Sequence, residues 1–202
     1  KRTLKPIIYQ LLPRTFANYN ETRRHAGTLQ ENGSGTMNAI TSRALRAIRD
    51  LGATHVWYTG VIRHATAQYN TPEIVKGKAG SPYAITDPDI CEDKRRRMQE
   101  FLELVERSHQ AKLDVIIDFV PNHVAREYHS VCKPKGVEDL GEKDNPAWAF
   151  SPLNNFYYLN EPLAPQFDVA EYEENPARAT GNDCFSAHPS KQDWYETIKL
   201  NY

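Results

Sequence analysis

Two kinds of apolar pattern alternate along the first 120 residues. Short β-branched or aromatic runs occur at "PIIYQLL" (6–12), "THVWYTGV" (54–61) and "DVIIDFV" (114–120). Each is bounded by turn-forming residues, and each predicts a strand. Longer stretches with apolar residues every three or four positions precede the second and third runs. "TSRALRAIRDLG" (41–52) carries Leu45, Ile48 and Leu51 on one face, with Thr41 as the N-cap and Gly52 as the stop. "DKRRRMQEFLELVERSHQA" (93–111) places Met98, Phe101, Leu102 and Val105 at helical spacing. The order β, α, β, α, β predicts parallel strands joined by right-handed crossovers, in an open sheet or a barrel.

The pattern changes after residue 124. Residues 125–202 hold seven of the thirteen prolines, with many Asn and Asp and little periodicity. A long irregular segment of this kind is usually functional. The third predicted strand poses a question of its own. Asp118 sits in its apolar run, which ends in Pro121, Asn122 and His123. A carboxylate inside a parallel sheet is costly unless it is paired or hydrogen-bonded. In parallel α/β folds ligands bind beyond the carboxyl ends of the strands, so the residues at those ends are the candidate site.

Composition narrows the classes. The 202 residues are 40% hydrophobic and 25% charged, with a net charge of -1. That balance gives no electrostatic footprint for nucleic acid. "KRRR" (94–97) reads as a solvated helix face. No run approaches the roughly 18 apolar residues of a membrane span. Cys91, Cys132 and Cys184 lack metal-ligand spacing, and three scattered cysteines argue against a disulfide framework, with free thiols the default and a single bridge the alternative. No nucleophile elbow, phosphate-binding glycine loop or metal-spaced histidine cluster is present.

The segments around the predicted strand ends resemble the alpha-amylase family of glycoside hydrolases, family 13. Asp118, followed after three residues by Asn122-His123, is similar to that family's first signature region. "GSPYAITDP" (80–88) resembles the segment that supplies an aromatic platform, with Tyr83 in that role. "IIYQLLPRTF" and "LGATHVWYTGV" resemble the first two barrel strands, and "GTLQENGSGTMNAIT" the approach to the first helix. The resemblance implies an α/β fold: the first three βα units of a (β/α)8 TIM barrel in residues 1–123, and an irregular domain B in 124–202. It implies that Asp118 organises the site from below, that His123 hydrogen-bonds a sugar hydroxyl and that Tyr83 stacks on the ring. It assigns Asn122 to a structural calcium, whose preference for oxygen ligands suits an amide. Asp183, beside Asn182 in "GNDC", is a second candidate calcium ligand, and His64, beside Arg63, a further cleft residue.

Structural readings stand beside each of these. Asp118 as a satisfied carboxylate, His123 as a core or capping histidine, Tyr83 as a core aromatic, Asn122 and Asp183 as turn residues and His64 and Arg63 as surface loop residues are the alternatives. Trp148, Trp194, Tyr157 and Tyr158 are carbohydrate platforms on one reading and packing residues on the other.

The implied substrate is an α-linked glucan or maltooligosaccharide, cleaved with retention. That chemistry needs a carboxylate nucleophile and a carboxylic acid about 5–5.5 Å apart. In the family these follow the fourth and fifth strands, so they are expected beyond residue 202. A catalytically inactive carbohydrate- or protein-binding fragment is the alternative. Three barrel strands alone leave exposed edges, so the remainder of the barrel or self-association is expected to be needed for stability. The polysaccharide substrate class points to an extracellular or periplasmic setting. The chain departs from the family pattern in short loops after residues 70 and 87, and in Ala111-Lys112 where a glycine commonly ends the helix.

Overall fold

The computed structural model describes residues 5–25, 27–67, 69–87, 96–131 and 133–202. The strands are β1 (Ile8–Leu11), β2 (His55–Tyr58), β3 (Arg63–His64), β4 (Ile85–Asp87), β5 (Asp114–Ile117), β6 (His123–Ala125) and β7 (Thr197–Lys199). The helices are α1 (Pro13–Phe16), α2 (Leu29–Asn32), α3 (Ser42–Asp50) and α4 (Arg96–Gln110). The chain divides into two compact units, residues 1–61 with 90–119, and 62–89 with 120–202. By packing, then, the second unit takes in more than the expected 124–202 segment.

The first unit is built on a parallel sheet in the order β1-β2-β5. All three predicted strands form, but shorter than their apolar runs. Alternation divides the sheet into two faces. Leu11, Val56 and Tyr58 are buried on one of them, and Leu45 and Ile48 of α3 and Leu104 of α4 are buried as well. The Tyr58 hydroxyl donates to Ser108 Oγ at 2.7 Å, and Ser108 Oγ donates to the Leu104 carbonyl at 2.7 Å. Burial pushes the Tyr58 phenol up to about 12. The other face carries Ile8, Gln10 and Trp57 and is more open.

Helix α3 starts where expected, because Thr41 Oγ1 accepts from the Ala44 N–H at 3.2 Å. Leu51, expected on its buried face, is exposed. On α4 the buried positions are Leu104 and Ser108, whereas Met98 and Leu102 of the expected stripe are exposed. The helix stops at Lys112, which takes φ 62°, the left-handed conformation a glycine usually supplies. Residues 93–95 of the expected helix, with the first half of "KRRR", lie outside the described residues.

The second unit is mostly irregular. It holds two antiparallel pairs, β3 with β4 and β6 with β7. Around β6 and β7, Val124, Phe156, Tyr158 and Ile198 form a small core. Beneath them Glu174 receives Arg126 Nη1 at 2.8 Å and Arg178 Nη2 at 2.9 Å, and the Tyr172 hydroxyl donates to it at 2.7 Å. Burial alone would raise the Glu174 carboxyl, but the two guanidinium groups more than offset it and hold the group at about 2. Arg126 also donates to the Tyr195 carbonyl at 2.6 Å, tying the end of β6 to the approach to β7.

Candidate active site

The expected site residues fall into both units. In the first, Asp118 lies just past β5, not inside it. Its Oδ1 accepts from Trp57 Nε1 at 3.0 Å and its Oδ2 from the Gly60 N–H at 3.3 Å. A half-buried carboxylate at the end of an apolar strand is therefore satisfied by an indole and a backbone amide. Gln10 Nε2 donates to Thr59 Oγ1 at 2.8 Å, so the carboxyl ends of β1 and β2 carry a second polar link.

In the second unit, His123 opens β6 and is only 8% exposed. Its register partner on β7 is Lys199. Asn122 Nδ2 donates to the Gly181 carbonyl at 2.8 Å and meets His123 Nδ1 at 3.1 Å, while Asn122 Oδ1 accepts from Lys199 Nζ at 3.3 Å. An ammonium only donates and a carbonyl only accepts, so these two partners fix the orientation of the amide. His123 Nδ1 is then the acceptor, and the ring proton is on Nε2. Burial lowers the His123 pKa, a hydrogen bond to the Tyr83 backbone opposes this, and the Lys199 charge lowers it further. The imidazole is neutral at neutral pH, a form that can both donate and accept.

Trp194 packs edge-on against the imidazole, with ring centroids 5.4 Å apart. The Trp194 backbone N–H donates to Asn182 Oδ1 at 3.1 Å. Gly181 lies beneath: a Cβ there would come within 2.7 Å of Thr197 Oγ1 and 2.8 Å of His123 Cβ. Tyr83 sits in the turn before β4 and is 39% exposed. His64 lies in β3, half-buried and opposite Ile85. Asp183 accepts from Lys199 Nζ at 2.6 Å.

The structure thus brings together Asn122, His123, Asp183 and the Tyr83 backbone. Sequence reading missed Lys199 and Gly181, which complete this arrangement, and Trp57, the partner of Asp118. Among the aromatic candidates Tyr158 is a packing residue, buried with Phe156 and Ile198. Tyr157 clusters with Phe150 and Phe185, Trp148 is exposed, and Trp194 is half-exposed beside His123. Cys184 is a free thiol; Cys91 and Cys132 lie outside the described residues. Among the described residues no helix is long and apolar enough to cross a membrane.

Known proteins resemble this chain. A probable oligo-1,6-glucosidase 2 of Bacillus subtilis is 30% identical over 122 residues, covering 60% of this chain and 18% of its own. Maltase 1 of Drosophila virilis is 27% identical over 142 residues, covering 70% and 19%. The chain therefore spans about a fifth of the length of these curated relatives. Among solved structures, an alpha-amylase from Lactobacillus plantarum superposes with a TM-score of 0.48 at 23% identity, over 98% of this chain and 32% of that one. A trehalose-6-phosphate hydrolase of Bacillus licheniformis gives 0.39 at 25% identity, over 61% and 18%. The family model described as the alpha amylase catalytic domain matches residues 10–181, most of the chain. That domain implies a TIM-barrel fold, with which the parallel β1-β2-β5 sheet accords, and the chain belongs to the alpha-amylase family.

Proposed function

We propose that the protein containing this chain hydrolyses α-glucosidic linkages of starch-like oligo- or polysaccharides, with retention of the anomeric configuration. The observation that carries the reading is the family match over residues 10–181, which takes in Asp118, Asn122 and His123. Residues 1–123 contribute the first three βα units of the barrel and 124–202 a domain B-like wall. The nucleophile and acid that retention requires come from barrel strands outside these residues. The curated relatives named as glucosidase and maltase, each several times longer than the matched stretch, support that division.

Within the chain each residue has a distinct task. The neutral His123 imidazole engages a sugar hydroxyl, in competition with its bond to the Tyr83 backbone. The Tyr83 and Trp194 rings, both partly exposed, offer apolar faces to a pyranose. Asp118 is a positioning residue, its two oxygens already held by Trp57 and Gly60. His64 is a further cleft residue.

Hydrolysis of a chromogenic α-maltoside by the full-length protein, with the product anomer followed by proton NMR, tests this reading. Release of the α-anomer is expected. Release of the β-anomer, or no turnover on any α-linked maltooligosaccharide, contradicts it.

A further inference from the structure

We propose that the Lys199 ammonium stands where a bound cation would sit beside Asn122, so that this part of the site is assembled without calcium.

The family resemblance assigns Asn122 Oδ1 to calcium, and the Asp183 carboxylate is the second candidate oxygen. Both face one ammonium: Lys199 Nζ lies 3.3 Å from the first and 2.6 Å from the second. The Lys199 side chain is 16% exposed and packs inward, whereas the Asp183 carboxylate that it meets is 65% exposed. The neighbouring oxygens are also committed. Asn182 Oδ1 accepts from Thr180 Oγ1 at 2.5 Å and from the Trp194 N–H at 3.1 Å. Asp193 accepts from the Ser190 N–H at 2.8 Å, from Ser190 Oγ at 2.9 Å and from Asn182 Nδ2 at 3.1 Å.

Among the described residues no group of three or more His, Cys, Asp or Glu side chains is placed to hold a metal ion. Calcium takes six to eight oxygen ligands at about 2.3–2.6 Å. Here two of the expected oxygens are bound to a positive charge that would repel it. The residues present therefore do not fit the ion.

The ammonium does the mechanical work of a cation instead. It draws a neutral amide oxygen and a carboxylate together, and it pins Asn122 at the residue preceding His123. The cross-strand register makes this geometry local, because β7 places Lys199 directly opposite His123. Lys199 is in this sense a positioning residue that acts on His123 through the Asn122 amide.

The test needs no substrate, so its failure and failure of the hydrolase reading are separable. The thermal midpoint of the full-length protein is measured in EDTA and in millimolar calcium chloride, for the native sequence and for Asn122→Ala. A native midpoint that moves by less than about 1 °C, or a calcium response that Asn122→Ala leaves intact, supports the proposal. A calcium-dependent rise that Asn122→Ala abolishes overturns it. The positioning role is read from the His123 ring nitrogens by NMR. Lys199→Met is expected to disturb the pattern of an accepting Nδ1 and a protonated Nε2, and Lys199→Arg to preserve it. An unchanged pattern in Lys199→Met overturns that role.

Discussion

Glu174 is the anion between Arg126 and Arg178, and its replacement by Gln gives the largest stability change expected in the second unit. Its side chain is 6% exposed and that of Arg126 is 1% exposed, so the pair needs little discount for solvent screening. The carboxyl is held at about 2, against 4.5 in the unperturbed group. A depressed carboxylate pKa contributes stability that is fully present above the unfolded value and is lost as pH falls through the folded one. The gap corresponds to roughly 3 kcal/mol at neutral pH, lost between about pH 4.5 and 2. Glu174→Gln also strands the Arg126 charge in the interior, and breaking a buried pair from one side typically costs about 3–5 kcal/mol. The two routes agree in magnitude. Denaturant unfolding of the native and Glu174→Gln full-length proteins between pH 7 and pH 3 checks this. The difference is expected to be largest at neutral pH and to shrink in acid. A variant within about 1 kcal/mol of native at pH 7, or a difference independent of pH, refutes the reasoning.

Other expectations follow from single positions. Lys112→Gly relieves a left-handed residue and should raise stability by about 0.5–1 kcal/mol, read as a higher unfolding midpoint. Gly181→Ala forces a methyl against His123 and Thr197 and should cost about 1–3 kcal/mol, with displaced His123 ring resonances in NMR. Trp57→Phe removes a charge-assisted hydrogen bond to Asp118 and should cost about 1.5–3 kcal/mol in denaturant unfolding. The 202-residue segment alone should self-associate in size exclusion, because Ile8 and Phe119 are exposed and, among the described residues, β1 and β5 each pair on one side only. A monodisperse, cooperatively folding 23.1 kDa monomer would count against that expectation.

The sheet was legible in the sequence because β-branched runs bounded by turn residues mark buried parallel strands. The strand ends were not. Gly60 at φ 74° and Asp118, bonded to each other, turn the chain out of β2 and β5 before their apolar runs finish. The face of α4 was partly misread for a similar reason. Ser108 is buried because its hydroxyl bridges Tyr58 and the Leu104 carbonyl, and a hydropathy pattern counts it as polar. Asn122 and His123 could be found because they are adjacent in a recognisable motif. Lys199 could not, because a lysine reads as a surface residue. Only the pairing of β6 with β7 brings it to an amide 77 positions away. Gly181 carried no signal beyond its turn-forming neighbours; its need for a missing Cβ arises from how closely its backbone approaches His123 of β6 and Thr197 of β7.

The central claim is that this chain forms part of the sugar-binding cleft of an α-glucoside hydrolase, with His123 touching the substrate. The most direct measurement is the turnover of a chromogenic α-maltoside by the full-length protein, native and His123→Ala, with folding of both confirmed by their unfolding midpoints. The account predicts turnover by the native protein and a loss of roughly 10²-fold or more in kcat/KM for the variant, about 3 kcal/mol of transition-state binding. Native turnover that His123→Ala leaves unchanged would contradict the placement of the site, and no native turnover would contradict the function itself.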